Sequence, residues 1–328
     1  MSAPSNEKPT YESTLRELAL ADDRIIVMTA ENRAAIRGLP PQLGARFVDV
    51  GICEQTMVGM ASGLALRGRI PVVHALATFL TLRAYEFIRT DAGIARLPVK
   101  LVGGVPGLLS DGNGPTHQAI DDIAVMRSIP DMEIFCPADD VELVGALKAA
   151  VASPRPGYIR HNARPSTLAH EEYVPGRAEI LAEGRDVAIL SAGFMVPYAA
   201  QACALLRAEG IAARLVNLRT IAPIDEDAIV AAARETPHIV TIEDHLLVGG
   251  LYQTVTEVLV RRGVSVPVTP IGFDARWFRP GRLSDVMEYE RLTPAALATR
   301  VREARRALEA GGRGGRSNET SSVPNPLS

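Results

Sequence analysis

In FVDVGICEQTMVGMASGLALRGRIPVV, residues 47–73, a single carboxylate, Glu54, sits on a small-residue turn between a short apolar run and a helical stretch of Gly, Ala and Met. A carboxylate at a helix start can be a plain cap, because the free N–H groups there favour negative charge by about 0.3–1 kcal/mol. A second feature asks for more than capping. In GLLSDGNGPTHQAIDDIAVMRSIPDMEIFCPAD, residues 107–139, a glycine-rich loop delivers His117 just before a helix. Such a loop lets the backbone approach a ligand closely, and it sets an imidazole at the carboxyl end of a strand, where α/β proteins bind ligands. Glu54 and His117 therefore occupy matching positions in two successive βα loops, a pair that capping and packing alone do not explain.

The elements that must carry this pair are legible as alternation. Short β-rich runs, RIIVMTA, IPVVHAL, VKLVGGV and EIFCPA, are separated by helical stretches such as STLRELALA and DDVELVGALKAAVAS. That pattern predicts parallel strands with helices on both faces of the sheet. SPRPGYIRHNARPSTLAHEEYVPGRAEILAEGRD then concentrates Pro, Gly and Arg and reads as a linker, with a boundary within residues 167–184. Beyond it DVAILSAG, ARLVNLRTIAP, HIVTIED and VPVTPIGF alternate with further helical runs. The expectation is an α/β chain of two units, residues 1–175 and a smaller one over 184–310. Residues 311–328, rich in Gly, Ser, Asn and Pro, cannot bury enough apolar area to offset ordering entropy and are expected to be a disordered tail.

Bulk composition narrows the function classes. A chain of 328 residues, 47% apolar and 22% charged, can support two ordinary cores. Its net charge of −3, with scattered Lys and Arg, supplies no field for a nucleic acid or an anionic membrane. Cys53, Cys136 and Cys203 form no CxxC spacing, which argues against a disulfide framework or a zinc site and fits a reducing cytoplasm. The first residues lack an apolar h-region, and no apolar run is long enough to span a bilayer, so neither export nor membrane insertion is expected.

At VGICEQTMVGMASGLA, TFLTLRAYEFIR, GPTHQAIDDIAVMRSIPDMEIFCPAD and YIRHN the chain resembles the pyrimidine-binding and C-terminal domains of transketolases, and to a lesser degree 1-deoxyxylulose-5-phosphate synthases. The resemblance covers nearly all of the chain expected to be ordered. It implies thiamine diphosphate as cofactor, with Glu54 bonding N1′ of the aminopyrimidine and so shuttling the proton that activates the thiazolium carbon. An apolar floor of Met57, Val58 and Met60 beneath the carboxylate would suit that exchange. Phe79 matches the aromatic that stacks on the aminopyrimidine, and Tyr85 is expected nearby. His117 would bond the substrate or the covalent intermediate formed from it, and Arg160 would hold a substrate phosphate.

The resemblance also marks what is missing. Mg2+ is ordinarily held by a GDG motif with a later Asn, and this chain has no such pair; Asp111 and Asn113 of SDGNG lie in the loop to His117 and do not read as a metal site. The expectation is thus the C-terminal subunit of a split enzyme. An N-terminal-type partner would hold the diphosphate and Mg2+, and a homodimeric core would assemble as α2β2. Other positions depart from the family pattern. Val105 and Asn113 stand where a His and an Asp are usual, leaving Asn113 to meet substrate hydroxyls; Tyr11 replaces an arginine, Ala34 or Ala35 a serine, and Arg33 is the nearest substitute cation. These changes point away from ordinary ketose phosphates and toward a specialised two-carbon ketol or acyl transfer from a ketose or 2-oxo acid to an aldehyde. An E1β-like 2-oxo acid dehydrogenase subunit and a non-catalytic stabilising subunit are the alternatives.

Overall fold

The computed structural model describes residues 8–274, 276–277 and 279–314. Among the described residues twelve strands run in chain order: β1 Ile25–Thr29, β2 Phe47–Asp49, β3 Ile70–Leu76, β4 Lys100–Gly104, β5 Glu133–Phe135, β6 Gly157–His161, β7 Glu179–Ala182, β8 Val187–Ser191, β9 Ala213–Asn217, β10 Thr220–Ala222, β11 Ile239–Leu246 and β12 Val268–Phe273. β1 and β8 are buried along their whole length, as unbroken apolar runs must be when helices cover both faces of a sheet.

The first sheet has the order β10-β5-β6-β4-β3-β1-β2, and β1 to β6 pair in parallel throughout. Its edge strand β10 comes from beyond the linker and pairs antiparallel with β5. The first sheet is therefore not confined to the N-terminal part of the chain. The second sheet has the order β12-β11-β8-β9-β7, parallel except for β7. The last helix, Pro294–Gly314, extends into the stretch expected to be a tail; residues 315–328 lie outside the described residues.

Two buried ionic clusters join the units. Arg160, on β6, donates through Nε to Asp122 at 2.9 Å and through Nη1 to Asp244, on β11, at 2.9 Å. In the linker, His170 lies 2.7 Å from Asp139 and 2.8 Å from Glu179, and Arg219 bridges Glu142 at 2.7 Å and Glu179 at 2.6 Å. Charges this deeply buried hold only when paired, so both clusters pin the linker and β11 against the first sheet.

Candidate active site

Glu54 opens the helix Glu54–Leu66 and is 2% exposed. The turn before it is shaped by Asp49 at the end of β2. The Asp49 carboxylate accepts from the N–H of Gly51 at 3.0 Å and of Glu31 at 3.2 Å, and from Arg33 Nε at 2.6 Å. This ties the loop after β1 to the loop after β2, and Gly51, at φ +72°, makes the bend that β-carbons disfavour. Arg33, considered as a substitute cation, is thus occupied by Asp49. Met57, Val58 and Ala61 share the buried face with Glu54 at helical spacing. Met60 falls off that face and is 43% exposed, so the expected floor is corrected to Met57 and Val58.

Phe79 begins a short π-helical stretch, Phe79–Arg83, just after β3. Such wide turns are rare and recur at functional sites. Here the turn sets Arg83 back over the ring four residues earlier, its guanidinium carbon 4.4 Å from the Phe79 centroid. From there Nη1 donates to Glu54 Oε2 at 2.8 Å. The Phe79 ring also meets the His117 ring edge-on, centroids 5.0 Å apart. The chain therefore brings Glu54, Phe79, Arg83 and His117 together at the carboxyl edge of β2, β3 and β4. Arg83 escaped the sequence reading because a lone arginine in an amphipathic stretch carries no signal until the π-turn is known.

A cavity of about 270 Å³ opens over Glu54 and Phe79, with Ala30, Glu31, Asn32, Ile52 and Leu76 completing its wall. The remaining expected site residues do not line this cavity. Tyr85 is turned away, its hydroxyl 2.7 Å from Ser128 Oγ, and it packs against the core. Asn113 is exposed and donates to Ser110 Oγ at 3.2 Å, while Asp111 accepts from the Leu283 N–H and so binds the loop to the second unit. His117 is half-buried with Nδ1 2.9 Å from Thr116 Oγ1. Arg160, expected to grip a phosphate, is 3% exposed and already shared between Asp122 and Asp244. Burial works against its charge, but the two carboxylates outweigh that and hold the guanidinium firmly protonated.

Residues 8–164 match the transketolase pyrimidine binding domain, and residues 176–297 match the transketolase C-terminal domain. The chain belongs to the transketolase family. It is 36% identical over 270 residues to the 6-deoxy-6-sulfo-D-fructose transketolase subunit SqwH of Clostridium sp. strain MSTE9, covering 81% of this chain and 84% of that one. A 1-deoxy-D-xylulose-5-phosphate synthase of Heliobacterium modesticaldum is 38% identical over 308 residues, and there 92% of this chain spans only 47% of the relative. Among solved structures, a split gene transketolase described as an inactive beta4 tetramer superimposes with a TM-score of 0.82 at 34% identity, over 90% of this chain and 96% of that one. Transketolase-family enzymes depend on thiamine diphosphate. The residues here suit one end of that cofactor: a buried carboxylate beside an aromatic face, in a cavity smaller than the roughly 300–1,000 Å³ that encloses a whole ligand.

Proposed function

We propose that this chain is the pyrimidine-binding subunit of a split thiamine diphosphate-dependent transferase, and that it moves a two-carbon ketol or acyl unit from a ketose or 2-oxo acid to an aldehyde. The observation that carries the reading is the buried Glu54 carboxylate set beside Phe79 on the wall of a cavity of about 270 Å³. When bound, the cofactor supplies a thiazolium carbon that becomes a nucleophile once it loses its proton.

The residues of this chain divide the remaining work. Glu54 exchanges a proton with N1′ of the aminopyrimidine, and its near-complete burial keeps water from competing for that bond. Phe79 offers the face on which the ring stacks. Arg83, partly exposed, holds the carboxylate and would have to release it for an aminopyrimidine ring to bond Glu54. His117, edge-on to Phe79, is the side chain placed to hydrogen-bond a substrate oxygen beside the ring.

Beyond Glu54 the cavity wall offers the single further carboxylate of Glu31 and no Lys or Arg, too little to hold a diphosphate with its Mg2+. A partner chain with a GDG motif and a later Asn would supply them, most simply in an α2β2 assembly around a homodimer of this chain. The likeness to SqwH and to a split gene transketolase supports this division of labour.

The direct test mixes this chain with such a partner, Mg2+ and thiamine diphosphate, and screens ketose phosphates and 2-oxo acids against aldehydes by mass spectrometry. Transfer that needs both chains and the cofactor is expected. Oxidative decarboxylation onto a lipoyl carrier, without transfer to any aldehyde, would replace this reading with an E1β-like one.

A further inference from the structure

A second cavity, also about 270 Å³, adjoins the one over Glu54, and Asn32 belongs to the wall of both. Ala34, Ala35, Val105, His74 and His161 line it with Asn32, and no lysine, arginine, aspartate or glutamate does. Its wall is formed by residues in the carboxyl-terminal parts of β3, β4 and β6 and by the loop after β1, where the part of a substrate remote from the reacting carbonyl would extend.

The hydrogen bonds of His74 leave its ring neutral. His74 Nδ1 lies 3.2 Å from the Met28 carbonyl and must donate to it; Nε2, 2.7 Å from the Tyr11 hydroxyl, then accepts. That ring is fully used and has no proton to give an anion. Burial reinforces the arrangement, pushing His74 down to about 3 and His161 to about 4. His161 differs in one respect: its Nε2 is buried with no hydrogen-bond partner, and its ring meets the Tyr11 ring edge-on with centroids 4.7 Å apart.

Two arginines near the wall in sequence are committed elsewhere, while Arg37 and Arg164 are exposed and do not line the cavity. Arg33 is paired with Asp49, and Arg160 with Asp122 and Asp244. A phosphate dianion placed here would lose its hydration with no opposite charge on the cavity wall to offset the cost. The junction itself is built closely: a β-carbon on Gly104 would fall 2.5 Å from Asn32 Nδ2, so only glycine lets Asn32 stand between the two cavities.

We propose that this second cavity receives an uncharged, largely apolar end of the substrate, with one hydroxyl or carbonyl oxygen directed to His161 Nε2, in place of a sugar phosphate. The inference rests on the transferase reading above, and the two are separable by experiment. The reconstituted holoenzyme, given one fixed donor, is assayed with matched acceptors: D-ribose against ribose 5-phosphate, D-erythrose against erythrose 4-phosphate, and a simple alkyl aldehyde. Uncharged acceptors should exceed their phosphorylated counterparts in kcat/KM by about tenfold or more. Ala34→Arg, which brings a cation to the cavity wall, should narrow or reverse that ratio. A preference for the phosphorylated members would overturn the inference while leaving the transferase reading intact. No cofactor-dependent transfer to any acceptor would remove both.

A second measurement uses the chain by itself. Inorganic phosphate should leave the ring-nitrogen NMR signals of His74 and His161 in place, whereas the alkyl aldehyde should move that of His161. A shift of His161 on adding phosphate, with none for the aldehyde, would contradict the proposal.

Discussion

Arg83 covers Glu54: the guanidinium donates to the carboxylate at 2.8 Å while resting on the Phe79 ring, so the one buried acid of the cavity is closed off by a residue 39% exposed. Removing only the arginine strands a buried carboxylate. Arg83→Leu should therefore destabilise the cofactor-free chain by about 1–3 kcal/mol in urea titrations, and adding Glu54→Gln should recover much of the loss. Additive effects of the two substitutions would show that the pair is not coupled.

Glu54→Gln keeps the size of the side chain and a hydrogen-bonding oxygen but cannot pass a proton. The assembled complex should fold with unchanged far-ultraviolet circular dichroism and lose turnover by a factor on the order of 10² or more. Near-normal turnover in steady-state assays would sink the assignment of this carboxylate to proton exchange.

Arg160 should matter for the fold more than for the substrate. Arg160→Leu leaves Asp122 and Asp244, both buried, without their cation, and a loss of about 3–5 kcal/mol is expected by chemical denaturation. Gly107→Ala should act on the same contact, because its β-carbon would fall 1.7 Å from Asp244 Oδ2 at a backbone φ of +57°. A stable Arg160→Leu protein that lost only its phosphorylated substrates would return Arg160 to the role of a phosphate ligand.

His170 gives the chain a pH dependence of known sign. Burial disfavours the imidazolium, but hydrogen bonds to Asp139 and Glu179, with the charge of Glu142 beside them, outweigh it and hold the group up to about 10. A folded-state value above the ordinary 6.5 means the protonated ring stabilises the fold fully below pH 6.5, and that contribution fades as pH rises toward 10. Arg219 and Tyr173 adjoin the same carboxylates and stay in place. The difference in unfolding free energy between wild type and His170→Gln should therefore shrink from pH 6.5 to pH 10. A constant difference across that range would show that His170 carries no proton in the folded chain.

Which parts of this site could be read from sequence follows from how local they are. Glu54 and Phe79 follow β2 and β3 closely and His117 ends a longer loop after β4, so Glu54 and His117 are not on successive loops as expected, but the shared carboxyl edge of the sheet brings all three loops together. Alternating apolar runs likewise foretold two α/β units. Arg83 depends on a π-turn that composition does not announce, and Met60 was misplaced by counting apolar residues without following the helical face. Tyr85 lies two residues beyond that turn, so an error in local phase sends its hydroxyl to Ser128. The carboxylates that claim Arg160 come from distant points in the chain, Asp244 from the second sheet, and the crossing of β10 into the first sheet is equally non-local. No window of sequence contains such pairings.

The central claim, that this chain holds one end of thiamine diphosphate and another chain must hold the other, is tested most directly by calorimetry. Thiamine diphosphate with Mg2+ is titrated into the chain alone and then into its mixture with a partner bearing the diphosphate-binding motif. Ordering a flexible cofactor costs several kcal/mol or more, which Glu54 and Phe79 do not offset while the diphosphate stays in water. Weak or undetectable heat with the chain alone, and tight Mg2+-dependent binding once the partner is present, is the predicted result. Tight Mg2+-dependent binding by this chain alone, accompanied by turnover, would contradict it.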